Sequence, residues 1–340
     1  MPRSRAIKAL AITTVAVLAL AFPAMAPNPY VIHVVTVGLI YAILAASWDF
    51  LYGYAGQLSF GHAGFFGLGA YTSALLSLYL DLSPWVGLLC GGGASALFGA
   101  VVGYPALRLK GSYLALATLA FGEIARIIAT NWQDVTRGTL GLSGFPAFPG
   151  IPYSRPAYYY LALALAVVCV GTMAYLGNHS RIGLVMRSVR ADEIRANTLG
   201  VNILVYKVFA YVMCAFFAGI AGGFYAHYIQ VITPNELGPT VSIFTITMAT
   251  IGGIGTIYGP AIAGVLFESL YEYMRGIGVV YNLVAVGALL ISFVILLPRG
   301  LAGVARSWWL PPHPHPIQPD ESGPSASPAL SAASTDQEAS

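Results

Sequence analysis

Few residues in this 340-residue chain have the type and spacing to do chemistry. Glu123 and Arg126 lie three apart in an apolar run, where a helix brings them to one face and lets them neutralise each other. That spacing points to a structural ion pair rather than a proton relay. Glu268, Glu272 and Arg275 repeat the logic further along, compensating charge on one helix face. Asp49 stands beside Trp48 near the end of another run, the arrangement expected of an interfacial anchor. Gln57, Ser59 and His62 differ, because they sit among glycines in GYAGQLSFGHAGFFGLGAY, Gly53 to Tyr71, where the backbone should unwind. Irregular backbone at membrane depth is tolerated only inside protein or against a wet cavity. These three are therefore expected to line part of a translocation path.

Chemistry of other kinds is missing. There is no H-E-x-x-H, G-x-S-x-G or C-x-x-C, and no G-x-x-x-x-G-K-[ST] loop to cradle nucleotide phosphates. No enzyme activity is expected; if ATP supplies the work, another chain hydrolyses it. Cys90, Cys169 and Cys214 all fall in apolar runs, which suits small packing residues and gives neither a disulfide framework nor metal-ligand spacing. No apolar run carries the several unpaired carboxylates or histidines expected of a proton-driven carrier, so an ion-coupled secondary carrier is the weaker alternative.

The elements that must position these residues are membrane helices. The chain is 57% apolar and 9% charged with a mean hydropathy of +0.74, which excludes an ordinary cytosolic enzyme, a disordered protein and a nucleic-acid binder. Its net charge of +3 implies no polyanionic partner. A bilayer core needs about 20 apolar residues per helix, and the sequence offers ten stretches: 7–22, 30–50, 64–82, 84–103, 113–130, 157–177, 206–230, 240–257, 260–275 and 279–297. The fold class expected is an all-α polytopic membrane protein of about ten transmembrane helices. With the N-terminus inside, twelve of the sixteen cationic residues fall on the cytoplasmic side, and only Arg137, Arg155 and Arg275 fall outside. Both termini are then cytoplasmic. Residues 1–29 hold a cytoplasmic segment and a first helix, read as a retained signal-anchor although Ala24-Met25-Ala26 resembles a cleavage site. Residues 30–298 form the transmembrane domain, and 299–340, rich in Pro, Ser and Ala, form a disordered tail. Of the other glycine-dense stretches, Gly87 to Gly103 is expected to serve helix packing.

The cytoplasmic loop 178–206 holds the one short helix whose purpose is not to span. In it, Asp192 and Glu193 stand in a first turn, Gly200 supplies a stop, and Ile194, Ala196 and Leu199 give an exposed element apolar contact. Such a stub is rigid enough to transmit a displacement from a soluble partner.

Several long blocks place the chain near a known family. The runs WDFLYGYAGQLSFGHAGFFGLGAY, GSYLALATLAFGEIARIIATNW, TRGTLGLSGFP, ADEIRANTLGVN, YKVFAYVMCAFFAGIAGGFY and TITMATIGGIGTIYGPAIAG resemble, in order, the M-type permease subunit of branched-chain amino acid ABC importers, over roughly Tyr30 to Pro298. The resemblance implies the ten-helix permease architecture of the vitamin B12-type (type II) importers. It implies a heterodimer with an H-type permease, two peripheral ATPase subunits that bind ATP-Mg, and an extracytoplasmic amino-acid-binding protein. No cofactor is implied for this chain itself. The setting implied is the bacterial inner membrane. The family's coupling helix falls here on Ala191, Asp192, Glu193, Ile194, Arg195, Ala196, Asn197, Thr198, Leu199, Gly200 and Val201. Arg195-Ala196 replaces the alanine pair common there, an extra cation that can tune the fit to an ATPase or face solvent. A urea or short-amide permease of the same family is the closer alternative for substrate, and loop Asn131 to Pro156 is the expected docking surface for the binding protein.

Overall fold

The computed structural model describes residues 17–26, 28–106, 109, 111–275, 287 and 300–303. Helix α1 covers 17–25. It is followed by α2 (Pro29–Asp49), α3 (His62–Tyr79), α4 (Pro84–Ala106), α5 (Ser112–Asn131), the single turn α6 (Gln133–Thr136) and α7 (Arg155–Asn178). Then come α8 (Arg181–Ala191), α9 (Glu193–Thr198), α10 (Ile203–Ile229), α11 (Pro239–Gly252) and α12 (Tyr258–Arg275). A proline stands in the first turn of α2, α7 and α11, where its missing N–H has no intrahelical partner to lose.

Eight expected spans coincide with α2, α3, α4, α5, α7, α10, α11 and α12. The span expected at 7–22 lies outside the described residues up to residue 16, as does that at 279–297 except residue 287. The tail also lies outside them, apart from 300–303. Among the described residues, five helices are long and apolar enough to cross a membrane: α2 with its continuation to Tyr54, α4 to Pro105, α5, α7 and α10. One expectation is corrected. The span read as 240–257 ends as a helix at Gly252, because Gly253 and Gly255 adopt φ of +104° and +85° and turn the chain into α12.

Helix α2 is apolar all round and accordingly central, with 78% of its spanning window buried. It packs against α7, α10, α11 and α12, while α10 crosses α3 and α4. The crossings are made by glycine. A Cβ built on Gly222 would overlap the Phe66 carbonyl of α3, and one on Gly69 would overlap Gly219. Helix α4 joins the same way, Gly91 against Gly69 and Gly99 against Ala215, which is the packing role expected of the Gly87–Gly103 stretch. The expectation for cysteines holds for buried Cys169 and Cys214 but not for Cys90, which is exposed on α4. An apolar run in a membrane helix does not imply a packed face, because lipid accepts it equally well.

One small departure from an all-α chain matters for positioning. Leu142–Ser143 pairs antiparallel with Val231–Ile232, tying the 131–156 connection to the end of α10.

Candidate functional site

The short helix between α7 and α10 is built as a rigid stub. Ser180 caps α8 by accepting the Gly183 N–H at 3.1 Å. Asp192 caps α9, one oxygen accepting the N–H groups of Ile194 and Arg195 at 3.0 Å each. It therefore precedes the first turn rather than standing in it, as the sequence suggested. At the other end Gly200, at φ +81°, donates to Asn197 O at 2.9 Å and Val201 donates to Ala196 O at 3.2 Å, the two bonds of a Schellman stop. Of the stretch 191–201, only Glu193–Thr198 is helical in α9; Ala191 ends α8 and Leu199–Val201 form the stop. Ala196 is buried, whereas Ile194 and Leu199 are 77% and 83% exposed. Glu193 accepts from buried Lys207 of α10 at 2.6 Å, and Arg195 stays open to solvent while pairing with Asp192 at 2.9 Å.

A second set of contacts links this stub to the spans. Helix α2 does not end at Asp49 but widens into one π-helical turn, Phe50–Tyr54. Arg190, at the end of α8, donates to the Gly53 carbonyl of that turn and lies over the Tyr52 ring, while Arg187 lies over Tyr54. Asp49 itself is fully buried. Its two oxygens accept the backbone N–H groups of Gly255 at 2.6 Å and Ile257 at 2.8 Å, in the turn between α11 and α12. Its expected role as an interfacial anchor is thus wrong: partner amides 206 and 208 residues away satisfy it. Trp48 is also buried and donates to the Ser59 carbonyl at 2.8 Å. Gly53 is required here, since a Cβ would meet Gly255 N at 2.7 Å. Asp49→Asn keeps the shape but turns an amide N–H against a backbone N–H, leaving a buried donor unsatisfied at about 2 kcal/mol. A thermal midpoint of the purified permease several degrees lower is expected; an unchanged midpoint would remove this latch.

The unwound segment lies where the glycines placed it, between the π turn and α3. Phe60 N–H donates to Thr118 of α5 at 3.0 Å and Ala63 N–H to Ser242 of α11 at 2.9 Å. Gln57, Ser59 and His62 are all buried. Ser47 donates to Leu44 O at 2.7 Å, so its contact of 2.7 Å with His62 is a bond donated by His62 Nε2–H. Among the described residues, His62 Nδ1 and Ser59 Oγ have no hydrogen-bond partner.

At the far end of α10 from α9, about 40 Å along the helix, two adjoining cavities of about 350 and 440 Å³ share His33 and Ile229. Glu236, Glu268 and Glu272 line the first and Arg155 the second. Tyr30 donates to Glu272 at 2.6 Å; the side chain of Arg275, the expected charge partner of Glu268 and Glu272 along α12, lies outside the described residues. Burial pushes the Glu236 carboxyl, in the turn Pro234–Leu237, up to about 7. Sequence reading missed Arg190, Lys207 and Glu236 because each meets a partner on a different element, Gly53, Glu193 and Tyr225 respectively, which no spacing within one helix reveals. The nearest sequence signal was the pairing of lone polar residues with glycine clusters.

The Glu123–Arg126 pair does form, with Arg126 Nε at 2.9 Å from both carboxylate oxygens and Nη2 at 2.5 Å from one.

Comparison with known proteins shows the family of the chain. A family model described as branched-chain amino acid transport system, permease component, matches residues 30–296. The high-affinity branched-chain amino acid transport system permease protein LivM of Salmonella typhimurium is 32% identical over 315 residues, covering 85% of this chain and 74% of that protein. The corresponding LivH of Escherichia coli K12 is 25% identical over 290 residues, 79% and 93% of the two chains. The guanosine ABC transporter permease protein NupQ of Bacillus subtilis is 26% identical over 215 residues, 57% and 66%. The match begins at α2 and runs past α12. The chain belongs to the family of branched-chain amino acid transport system permease components.

Proposed function

We propose that this chain is the M-type membrane subunit of an ATP-driven importer of leucine-, isoleucine- and valine-like amino acids. The observation that carries the reading is α9: a doubly capped stub that hides Ala196 and holds Ile194 and Leu199 outward. Exposed apolar side chains on a rigid element are what a groove on a soluble partner needs. The partners are an H-type permease, two ATPases that hold ATP-Mg, and an external binding protein. The excess of cationic residues at the α8–α9 end supports a cytoplasmic setting for that end and for both termini. The architecture is the ten-helix, vitamin B12-type permease.

Closure of the ATPases on nucleotide pushes α9. Arg190 and Glu193 carry the displacement to the π turn and to Lys207 of α10, and Asp49 carries it on to the α11–α12 turn. The spans reorient and the path opens to the other side. The unwound segment with Gln57, Ser59 and His62 belongs to that path; its two unpartnered polar atoms support this. Leu140, 85% exposed in the 131–156 connection, supports that loop as the docking surface for the binding protein.

The test is reconstitution in vesicles with the H-type permease, both ATPases and the binding protein. Leucine should accumulate only with ATP inside and the binding protein outside. Accumulation by this chain alone on an ion gradient, or labelling of a Leu199→Cys variant from outside the cell, would overturn the reading.

A further inference from the structure

Helix α5 is the least buried of the five spanning helices, with 28% of its window covered. Glu123 lies about 12 Å from the nearer end of this helix, which is about 30 Å long. Each side chain of the pair is 35% exposed. A covered pair would be structural, and an arginine that met lipid would extend toward the helix end. Arg126 instead turns back onto Glu123. Glu123 lines a narrow crevice where the unwound segment (Phe60, Gly61) meets Leu119, Leu237 and Ser242, and Arg126 follows three residues further along α5. Charge left open at this depth is costly against hydrocarbon, which argues that this shoulder of α5 does not face lipid.

Among the described residues, the guanidinium spends only Nε–H and one Nη2–H on Glu123, leaving three of its five N–H groups unspent. Cation and anion side by side match, with signs reversed, the carboxylate and ammonium that an α-amino acid carries on one carbon. We propose that Glu123 and Arg126 form a transient site for the zwitterionic head group on the translocation path, with Arg126 taking the carboxylate and Glu123 the ammonium. A pair of this kind holds the part all such substrates share and leaves the apolar side chain free. The inference rests on the chain being an amino acid permease.

The experiment uses the assembled transporter in vesicles, with this chain's three cysteines replaced by alanine. Leu119→Cys, one helical turn from Glu123 in the same crevice, is expected to react with a membrane-impermeant thiol reagent, while Ala115→Cys on the packed face stays unlabelled. Leucine-loaded binding protein during turnover should slow the Leu119→Cys reaction several-fold, and Glu123→Gln should abolish that protection. In the cysteine-containing chain, Glu123→Gln and Arg126→Gln should each lower leucine moved per ATP about tenfold or more, the size of a lost charge-assisted hydrogen bond, with subunit assembly unchanged. An unlabelled Leu119→Cys, labelling indifferent to leucine, or Gln variants with full transport would each overturn the site while uptake by the unaltered transporter continues. Absence of leucine uptake by the unaltered transporter overturns the amino acid reading and the site with it.

Discussion

Aspartate at Ile194 and Leu199 together should reduce nucleotide-driven uptake to background while leaving the permease folded and inserted. The two side chains are the most exposed large apolar groups on the stub between α8 and α10, at 77% and 83%. Substitution of such positions changes stability by about 0.5 kcal/mol or less in the chain alone. In a partner groove each apolar anchor contributes about 2 kcal/mol or more, so losing both weakens ATPase association by roughly a thousandfold. Co-purification of the ATPases and uptake in vesicles check this. Retained ATPase binding with normal uptake would mean that α9 does not carry the work stroke. The caps make the outcome readable: Asp192 and Gly200 hold the stub's shape independently of the two substituted residues.

The second large effect is on folding. Gly222→Leu is expected to yield no recoverable permease, because the new side chain begins inside the van der Waals envelope of the Phe66 carbonyl, with Ala70 N at 3.1 Å on the same side. Neither is a flexible side chain; both are backbone of α3, so α3 and α10 must separate along their whole contact. Overpacking a core costs about 1–3 kcal/mol when side chains can shift, and here they cannot. Gly171→Ala on α7 is the matched control, since among the described residues nothing lies within 4 Å of its Cβ position. It should be neutral or gain up to about 1 kcal/mol from helix propensity. Yield of monodisperse protein in detergent and its thermal midpoint distinguish the two. Comparable behaviour of the two variants would refute glycine-mediated packing at the α3–α10 crossing.

Legibility in the sequence followed the range of the forces. Helix positions were legible because an apolar run of span length has one stable state in a bilayer, and proline or glycine marks its ends locally. The stub was legible for the same reason: its Asp192 cap and Gly200 stop act within three residues of the backbone they satisfy. Unwinding at Gly53–Gly61 was also legible, since glycine density lowers the cost of leaving the helix. The end of α11 was overrun by five residues because the apolar run continues through a turn that only the φ of Gly253 and Gly255 reveals.

What the sequence by itself determined is therefore local: a helical permease component, the positions of eight of its apolar helices, and one rigid stub between them. Only the tertiary structure decided what the isolated polar residues do. Asp49 is a latch rather than an anchor because two amides more than 200 residues away converge on it. Arg190 links the stub to the π turn because α8 folds back against α2. The Glu123–Arg126 spacing showed that the two can pair, but not that the pair stays partly exposed, with Glu123 beside the unwound segment. Spacing along a helix states which side chains share a face. Which neighbour, if any, covers that face is set by packing between segments far apart in the chain, and no local pattern encodes it.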